Sequence, residues 1–510
     1  MRKSFGRREF LKVASLLSLA SFFEAGCTAP KPSKPSPESG PPNVLILVFD
    51  TLSARHLSLH GYRRDTAPNM TEFAHSATVY HAHYATGNFT VPSTASFLSG
   101  SYPWSHRAFH HAGIVSELYK QRNLFKLFSE THNLVAYPHN LWADLLIHQF
   151  QDDIDTYIKT TSFNLINDVV YDRFSDKDIA FRSFEDFLLQ EFDASGSLFS
   201  SLTKDIKVLI DERVGSEAYA ESFPRGIANF GRYNLYFLLE DVIQGVVSSI
   251  ERFQSPFMAY LHFFPPHEPY CPRREFIGIF EDGLVPPPKP AHVFSEGYSA
   301  KMLNRWRTQY DEYIAYTDAE FGRLLAFLQD GGYLNNSYVI LTSDHGQLFE
   351  RGVHGHVTKL LYEPVIRVPL IISEPGQQHR QDVYTPTSCV DILPTLLHLF
   401  GRDIPAWCEG KPLPNLAGAT GDADRSVFSL EAKTNPAQTP LKIGTLALIR
   451  GRHKLIQYFG HFDDENVFEL YDLENDPEEL EDLYPARPRL SNSMKSEMQD
   501  KINAANLPFE

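Results

Sequence analysis

The fold is decided by the stretch Asn43-Val-Leu-Ile-Leu-Val-Phe-Asp50, an apolar run that ends in a carboxylate. A continuous apolar run of this length is typical of a parallel strand buried on both faces of a sheet. Three further runs have the same character and lead directly into polar or turn residues: Pro256–Phe263, Ser337–Thr342 and Val368–Ser373. Ligands of open α/β sheets bind at the carboxyl ends of the strands, so we expect the functional site where these runs end.

The intervals between the strands carry helical patterns, of which Tyr233–Phe253 and Arg305–Leu328 are the clearest. Strands that alternate with helices are typical of a sheet covered by helices. The sequence therefore predicts an α/β sandwich with a large mixed sheet, and a main domain over residues 43–417.

Two segments depart from this alternation. Residues 140–224 are amphipathic and rich in aromatic residues, which favours a helical insertion that covers the cleft. From residue 418 the pattern changes to strand and turn at Leu446–Tyr458, an acidic stretch, and a last helix that ends near Ala504. We therefore expect a smaller α+β subdomain over residues 418–510.

The composition limits the classes of function. The 510 residues carry 63 Asp and Glu against 47 Lys and Arg, a net charge of −16, which argues against a nucleic-acid partner. The 21 histidines keep metal chemistry open. Four cysteines without a CxxC pair indicate neither a disulfide framework nor a zinc knuckle.

The N-terminus has the pattern of an export signal. A basic start is followed by the apolar stretch Phe10–Phe23, which is shorter than the roughly 20 residues of a membrane span. Arg7-Arg8-Glu9-Phe10-Leu11-Lys12 resembles a twin-arginine signal, the alternative being an ordinary secretory signal with a chance pair of arginines. The segment 1–27 is thus predicted to engage the twin-arginine export machinery.

The end of this segment resembles a lipoprotein cleavage box, Ala25-Gly26-Cys27, in which the cysteine takes the lipid. The alternative is cleavage nearby without lipid. Residues 28–42 contain six prolines and form a stiff, solvated linker. We expect an exported protein at the cell surface or in the periplasm, in peripheral contact with the membrane through its lipid anchor.

Carboxylates and an imidazole follow two of the predicted strands. Asp50 ends the first run, and Ser343-Asp344-His345-Gly346 follows another. Oxygen donors with an imidazole suit Mn²⁺, Zn²⁺, Ca²⁺ or Mg²⁺, and the imidazole favours the transition metals. Taken singly, such residues more often cap helices or face solvent.

The stretch Asn88–Gly100 has the pattern of a helix start, with Pro92 just inside it. The hydroxyl of Thr90 would lie near the positive end of the helix dipole, where anions bind. Threonine becomes a nucleophile only when a metal or base lowers its pKa, and the alternative is that Thr90 simply caps the helix. His267 and the pair His354 and His356 are further candidates for contacts to an anionic substrate.

These pieces, in this order, resemble the sulfatase family of the alkaline phosphatase superfamily. The likeness runs from Asn43 to about Tyr484, and its matching stretches are Pro42–Ile46 with Asp50, Thr66–Met70, Val91–Gly100, Pro265–Tyr270, Ser343–Gly346, Leu361–Leu370 and Leu470–Pro477. The resemblance implies an alkaline-phosphatase-like α/β sandwich, with residues 43–417 as the catalytic domain of an ester hydrolase.

The resemblance also implies roles for individual residues. A divalent metal would be held by Asp50, Asp344 and His345, with the nucleophile at position 90 also on the metal. His267 would contact the transferring group. A basic residue after the Asp-His-Gly motif would do so too, and His356 and Lys359 are the two candidates.

The sequence departs from the family at three threonines. Sulfatases oxidise a Cys or Ser to formylglycine within a motif that continues Pro-Ser-Arg, whereas this chain has Thr90 and, at the Arg position, Thr94. Threonine cannot give the same aldehyde because its Cβ carries a methyl group. The usual second metal Asp is Thr51 here, so the site has one fewer carboxylate.

A threonine nucleophile beside an Asp/His site is similar instead to the phosphoglycerol and phosphoethanolamine transferases of the superfamily, although those usually carry several membrane helices. Three hypotheses remain open. The chain is a metal-dependent hydrolase or transferase of phosphate esters that acts through Thr90, or a sulfuric ester hydrolase that works without formylglycine, or a non-catalytic surface lipoprotein that binds anionic glycans or lipids. We expect the partner to be an anionic ester substrate, carried by a phospholipid, a glycan or a small molecule.

Overall fold

The computed structural model describes residues 40–165, 219–230, 235–462 and 466–509. The predicted export signal and lipoprotein box at 1–27 lie outside the described residues, as does the linker up to residue 39. Residues 166–218 of the predicted insertion lie outside them too. Within the described ranges we find no helix with the length and apolar character to cross a membrane.

The described residues form sixteen β-strands. These are β1 Asn43–Phe49, β2 Thr78–Tyr80, β3 His83–Tyr84, β4 Asn133–Pro138, β5 Thr156–Tyr157, β6 Phe257–Phe263, β7 Ser337–Thr342, β8 Leu348–Glu350, β9 Val353–Gly355, β10 Leu370–Ser373, β11 Gln381–Val383, β12 Thr387–Ser388, β13 Ser426–Glu431, β14 Gly444–Arg450, β15 His453–Phe459 and β16 Val467–Asp472.

Ten α-helices accompany them in the same part of the chain. These are α1 Pro68–Ala74, α2 Thr90–Ser99, α3 Pro103–His106, α4 Leu124–Phe128, α5 Leu141–Ile147, α6 Leu239–Ile250, α7 Ala300–Asp330, α8 Glu363–Ile366, α9 Ile392–Leu399 and α10 Pro488–Asn506. The helices predicted at Tyr233–Phe253 and Arg305–Leu328 correspond to α6 and α7.

The main sheet has eight strands in the order β11-β2-β10-β7-β1-β6-β4-β5. β1 lies at its centre and runs parallel to both neighbours, β6 and β7. All seven residues of β1 are buried, as the apolar run predicts. The carboxyl ends of β1, β6 and β7 therefore meet at one edge of the sheet.

The prediction that all four apolar runs are parallel strands is wrong for β10. This strand runs antiparallel to both β7 and β2. The turn residues Glu374-Pro375-Gly376 that follow it consequently lie at the opposite edge of the sheet from the ends of β1 and β7. An apolar run encodes burial but not strand direction, so the sequence pattern could not distinguish the two cases.

Helices cover both faces of the sheet, because side chains alternate along each strand. Leu45, Leu47 and Phe49 of β1 pack in one apolar cluster with α6 and α7. Val44, Ile46 and Val48 pack in a second cluster with α2 and α9. The predicted α/β sandwich with a large mixed sheet is thus confirmed.

The last part of the chain forms its own four-stranded antiparallel sheet, β13-β14-β15-β16. The strand and turn predicted at Leu446–Tyr458 form the hairpin of β14 and β15. α10 packs on this sheet through Met494 and Met498. Residues 140–165 of the predicted insertion contain α5 and β5, and β5 extends the main sheet beside β4.

Candidate active site

Three polar side chains meet where β1 and β7 end. Asp50 follows β1, Asp344 and His345 follow β7, and the two strands are parallel neighbours. Nε2 of His345 lies 3.5 Å from Oδ1 of Asp50 and 3.5 Å from Oδ2 of Asp344. The structure thus brings together the three residues that the sequence proposes as metal ligands, and all three are buried.

A steric constraint explains why the Asp-His-Gly motif has a glycine at position 346. The backbone N–H of Gly346 donates to the carbonyl of Val365, at 2.6 Å, as α8 passes close by. A Cβ at position 346 would lie 2.1 Å from the carbonyl oxygen of Pro364. Only glycine permits this approach, which holds the segment after His345 against α8.

The three side chains fit a divalent cation. Oδ1 of Asp50, Oδ2 of Asp344 and Nε2 of His345 are buried without hydrogen-bond partners, a costly arrangement unless something binds them. The Nδ1–H of His345 donates to the carbonyl of Gly346, at 3.1 Å, so Nε2 carries the lone pair. Two carboxylate oxygens and one imidazole nitrogen then converge as donors.

The two carboxylates have opposite pKa shifts. Burial alone would raise the pKa of Asp50, but the neighbouring His267, His262 and His345 outweigh it and hold that pKa below the usual range. Burial, followed by the negative charge of Asp50, raises the pKa of Asp344. The negative charge of one carboxylate thus opposes ionisation of the other, and a cation bound between them would offset this repulsion.

Thr90 is the first residue of α2 and is buried. The residue that caps this helix is Phe89, and no side chain caps it, so the alternative that Thr90 serves as the cap does not hold. Its hydroxyl does not cap the helix and lies at the positive end of the helix dipole. Oγ1 of Thr90 lies 3.5 Å from Nδ2 of Asn140, which also donates to Oδ2 of Asp50.

Asn140 is a site residue that the sequence analysis missed. It caps α5, because its Oδ1 accepts from the backbone N–H groups of Trp142 and Ala143, at 2.7 and 3.2 Å. This capping fixes the amide so that its NH₂ group points toward Asp50 and Thr90. The sequence signal was present, since Asn140 follows the apolar stretch of β4 as Asp50 follows that of β1.

His356 lies in the site beside the metal-ligand candidates. Its ring centre is 4.4 Å from that of His345 and 4.9 Å from that of His267. Nδ1 of His356 bonds Oε1 of Gln347, at 2.8 Å, and burial lowers its pKa well below the usual range. Asn88, two residues before Thr90, donates to the carbonyl of His356, at 2.7 Å, and so links the two segments.

Lys359, the other candidate after the Asp-His-Gly motif, has a different environment. Its Nζ lies 4.6 Å from the ring centre of Phe294. Of the two candidates, the structure places His356 against His345.

His267 is half-buried, its Nδ1–H donates to the carbonyl of Glu268, at 2.7 Å, and its ring stacks on Phe264.

A second residue that the sequence analysis missed is His262, near the end of β6. It is fully buried, and its Nε2 lies 3.6 Å from Oδ2 of Asp50 and 3.8 Å from Oδ2 of Asp344. The sequence signal was a histidine near the end of a run that is otherwise apolar. Such a residue needs a partner, because an unpaired polar group in a buried strand costs free energy.

Comparisons with known proteins agree with this architecture. The sequence profile of the family described as Sulfatase matches residues 42–402, and the profile of the C-terminal part of N-sulphoglucosamine sulphohydrolase matches residues 352–506. Choline-sulfatase of Rhizobium meliloti (strain 1021) is 24% identical over 468 residues, which cover 87% of this chain and 83% of that protein.

Two further matches differ in how much of the chain they cover. Arylsulfatase K of Bos taurus is 30% identical over 218 residues, which cover 40% of this chain and only 38% of that protein. The solved structure of phosphonate monoester hydrolase of Agrobacterium radiobacter superimposes with a TM-score of 0.65 at 16% identity, over 91% of this chain and 96% of that chain. This structural likeness concerns the fold, and it agrees with the predicted alkaline-phosphatase-like sandwich.

The match to the Sulfatase profile extends over more than half of the chain and includes Asp50, Thr90, His267, Asp344 and His345. This chain is therefore a hydrolase of ester bonds that belongs to the sulfatase family of the alkaline phosphatase superfamily.

Proposed function

We propose that this chain is a metal-dependent hydrolase or transferase of phosphate esters and that Thr90 is its nucleophile. The observation that carries the proposal is the position of the Thr90 hydroxyl, at the start of a buried helix and within reach of the amide that also binds Asp50. Asp50, Asp344 and His345 would hold the metal.

When bound, the metal supplies a Lewis acid that lowers the pKa of a neighbouring hydroxyl and offsets negative charge in the transition state. Oγ1 of Thr90 gives up its hydroxyl proton as it forms a bond to phosphorus, and the bond from phosphorus to the leaving ester oxygen breaks as that oxygen takes up one proton, so that no net proton is released. Water or an acceptor hydroxyl then attacks the phosphorus of the phosphothreonine, the bond from phosphorus to Oγ1 breaks, and the proton that the attacking oxygen loses restores the hydroxyl of Thr90. The amide of Asn140 orients Thr90 before the attack.

His267 and His356 are the residues that we assign to the transferring group. Their rings lie 4.9 Å apart, and His356 is joined to the Thr90 segment through Asn88. Positioned donors aimed at developing charge contribute strongly to catalysis in sites from which water is excluded, and His356, whose Nδ1–H is held by Oε1 of Gln347, would become such a donor when Nε2 takes up a proton as the anionic group binds. The burial of His356 keeps its position fixed, so little reorganisation is needed during the reaction.

Hydrolysis of sulfate esters is the second candidate. The family match and the likeness to choline-sulfatase favour it. Against it stand Thr90 and Thr94, because this chain cannot form the formylglycine aldehyde at position 90. If sulfate is the substrate group, attack on sulfur must come from Thr90 itself or from water.

We further propose that the substrate is an anionic ester outside the cell, on a phospholipid, a glycan or a small molecule. This rests on the N-terminal sequence, with the twin-arginine pattern at Arg7-Arg8 and the lipoprotein box that ends at Cys27. Mass spectrometry of the protein recovered from membranes would test the lipid, because a diacylglyceryl group on Cys27 changes the mass of the N-terminal peptide.

The proposal is tested by rates on an aryl phosphate monoester, an aryl phosphodiester and an aryl sulfate in the presence of Mn²⁺. The variants are Thr90→Ala, Thr90→Ser and, as a control, Ser99→Ala, which changes a hydroxyl at the other end of α2. We expect phosphoester turnover that falls by about 10⁴-fold or more in Thr90→Ala, survives in part in Thr90→Ser and is unchanged in Ser99→Ala.

Other outcomes would redirect the assignment. Full activity of Thr90→Ala would exclude the covalent mechanism. Turnover of the aryl sulfate alone would establish the second candidate. No turnover of any of the three esters, with metal bound, would favour the hypothesis of a non-catalytic lipoprotein that binds anionic glycans or lipids.

A further inference from the structure

His262 has the geometry of an additional metal ligand. Its Nε2 faces Asp50 and Asp344, at 3.6 and 3.8 Å, and makes no hydrogen bond. The corresponding distances from Nε2 of His345 are 3.5 Å, but His345 faces Oδ1 of Asp50 whereas His262 faces Oδ2. Donor atoms about 2.0–2.2 Å from a tetrahedral Zn²⁺ lie roughly 3.4 Å apart, so the distances from His262 to both carboxylates are close to those of donors that share one metal.

The other ring nitrogen of His262 is held by a tyrosine. Nδ1 lies 3.0 Å from Oη of Tyr260, which is buried on the same face of β6 two residues earlier. With Nδ1 protonated and donating to Oη, the lone pair of Nε2 points at the two carboxylates. Metal-ligating histidines characteristically donate from their second nitrogen to a carboxylate, a backbone carbonyl or a water, and Oη of Tyr260 takes the place of that acceptor here.

The sequence provides an independent reason for an extra ligand. Position 51, where the family has a second metal Asp, is Thr51, so one carboxylate is missing from the site. An imidazole from β6 would restore the number of protein donors while reducing their negative charge. It would also replace a hard oxygen donor by a nitrogen donor.

We propose that His262 binds the metal through Nε2 and that the site therefore selects a transition metal, of the Zn²⁺ or Mn²⁺ type, over Ca²⁺ and Mg²⁺. The inference rests on the metal dependence in the proposed function. Two imidazoles and two carboxylates match the preferences of first-row transition metals, whereas Ca²⁺ and Mg²⁺ prefer sites made of oxygen donors alone. Tyr260 acts as a positioning residue for His262.

The test measures metal binding, which does not depend on turnover. Calorimetric titrations with Zn²⁺ and with Ca²⁺ compare the metal-free wild-type protein with His262→Gln and Tyr260→Phe. We expect His262→Gln to weaken Zn²⁺ binding about 100-fold or more and Ca²⁺ binding by no more than about 3-fold. Tyr260→Phe should weaken Zn²⁺ binding about 10- to 100-fold, as is usual when the partner of a ligating histidine is lost.

The matched control is His60→Gln. Both ring nitrogens of His60 are buried without hydrogen-bond partners, but its ring lies against His81, 5.3 Å between centres, and His81 pairs with Asp382 rather than with Asp50 or Asp344. Loss of this half-buried histidine should leave Zn²⁺ binding unchanged. Circular dichroism and thermal unfolding of each variant would show whether it is folded.

A second variant, His262→Cys, keeps the test decisive if His262→Gln does not fold. Thiolates are good ligands of soft and borderline metals, and a thiolate bound to Co²⁺ gives an intense charge-transfer absorption. We expect this absorption in Co²⁺-loaded His262→Cys and not in the wild type. Its absence, or unchanged Zn²⁺ affinity in His262→Gln, would overturn the assignment of His262 as a ligand.

These outcomes are separable from the proposed function. Zn²⁺ affinity that depends on His262, in a protein that turns over no ester, would support the metal site and reject the catalytic proposal. Ester turnover that depends on Thr90, together with a Zn²⁺ affinity that His262→Gln leaves unchanged, would support the catalytic proposal and reject His262 as a metal ligand.

Discussion

The side-chain amide of Asn140 lies 3.5 Å from the hydroxyl oxygen of Thr90. The same amide donates to Asp50, and the carbonyl oxygen of the Asn140 side chain caps α5. One side chain therefore connects the candidate nucleophile, a candidate metal ligand and the start of a helix. Substitutions at position 140 can therefore separate the catalytic contribution of this side chain from its structural contribution.

Asn140→Ser should lower the rate of ester turnover by about 10- to 100-fold, the cost of a hydrogen bond to a charged group. A serine hydroxyl still caps a helix, so the stability of this variant should be close to that of the wild type. Asn140→Ala should show the same decrease in rate and, in addition, a decrease of about 1 kcal/mol in the free energy of unfolding. Steady-state rates and urea unfolding check this, and a fully active Asn140→Ser would show that the contact to Thr90 is not used.

The two candidates after the Asp-His-Gly motif should differ in importance. His356→Ala should lower kcat/KM by about 100-fold or more, because the ring of His356 lies against His345 and His267. Lys359→Ala should lower it by less than about 10-fold, because its ammonium group lies against Phe294. A larger effect of Lys359→Ala would mean that the lysine reaches the substrate when the site is occupied.

Acid should destabilise the protein through a buried neutral histidine, His106. Burial lowers the pKa of His106 to about 3, and its Nδ1 accepts from the backbone N–H of Ala108, at 3.1 Å. In the unfolded chain a histidine binds a proton below about pH 6.5, and the folded chain does not, so stability falls as the pH falls through this value. When the pH falls from 7.5 to 5.5, this one residue should lower the free energy of unfolding by about 1.4 kcal/mol.

Urea unfolding at the two pH values checks the contribution of His106. His106→Asn should reduce the pH dependence by about this 1.4 kcal/mol while keeping an acceptor for Ala108. His75→Asn, at a histidine whose side chain is 62% exposed, is the control and should leave the pH dependence unchanged. An unchanged pH dependence in His106→Asn would mean that His106 is protonated in the folded protein.

The C-terminal sheet is joined to the main domain by a buried cluster of charges. Nζ of Lys454, on β15, lies 3.2 Å from Glu363 of α8 and 2.7 Å from Glu479. Lys454→Met should destabilise the protein by about 3–5 kcal/mol, because two buried carboxylates lose their cation. Thermal unfolding checks this prediction, and Lys442→Met, at an exposed lysine, is the control. A decrease of less than about 1 kcal/mol in the free energy of unfolding of Lys454→Met would show that water reaches the two carboxylates.

The sequence alone determined the centre of the fold and the core of the site. Apolar runs placed β1, β6 and β7 because a strand buried on both faces requires them. The carboxylates and imidazole of Asp50, Asp344 and His345 followed two of these runs, and parallel neighbouring strands bring such ends together. These features are local in sequence, so a pattern of residues is enough to reveal them.

Only the tertiary structure decided the remaining features of the site. The direction of β10 depends on its partners β2 and β7, since burial alone fits either direction. His262 and Asn140 belong to the site through distances to Asp50 across 212 and 90 positions of sequence. The choice of His356 over Lys359 depends on where each side chain packs. Contacts of this kind are set by how the elements pack, and no local pattern encodes them.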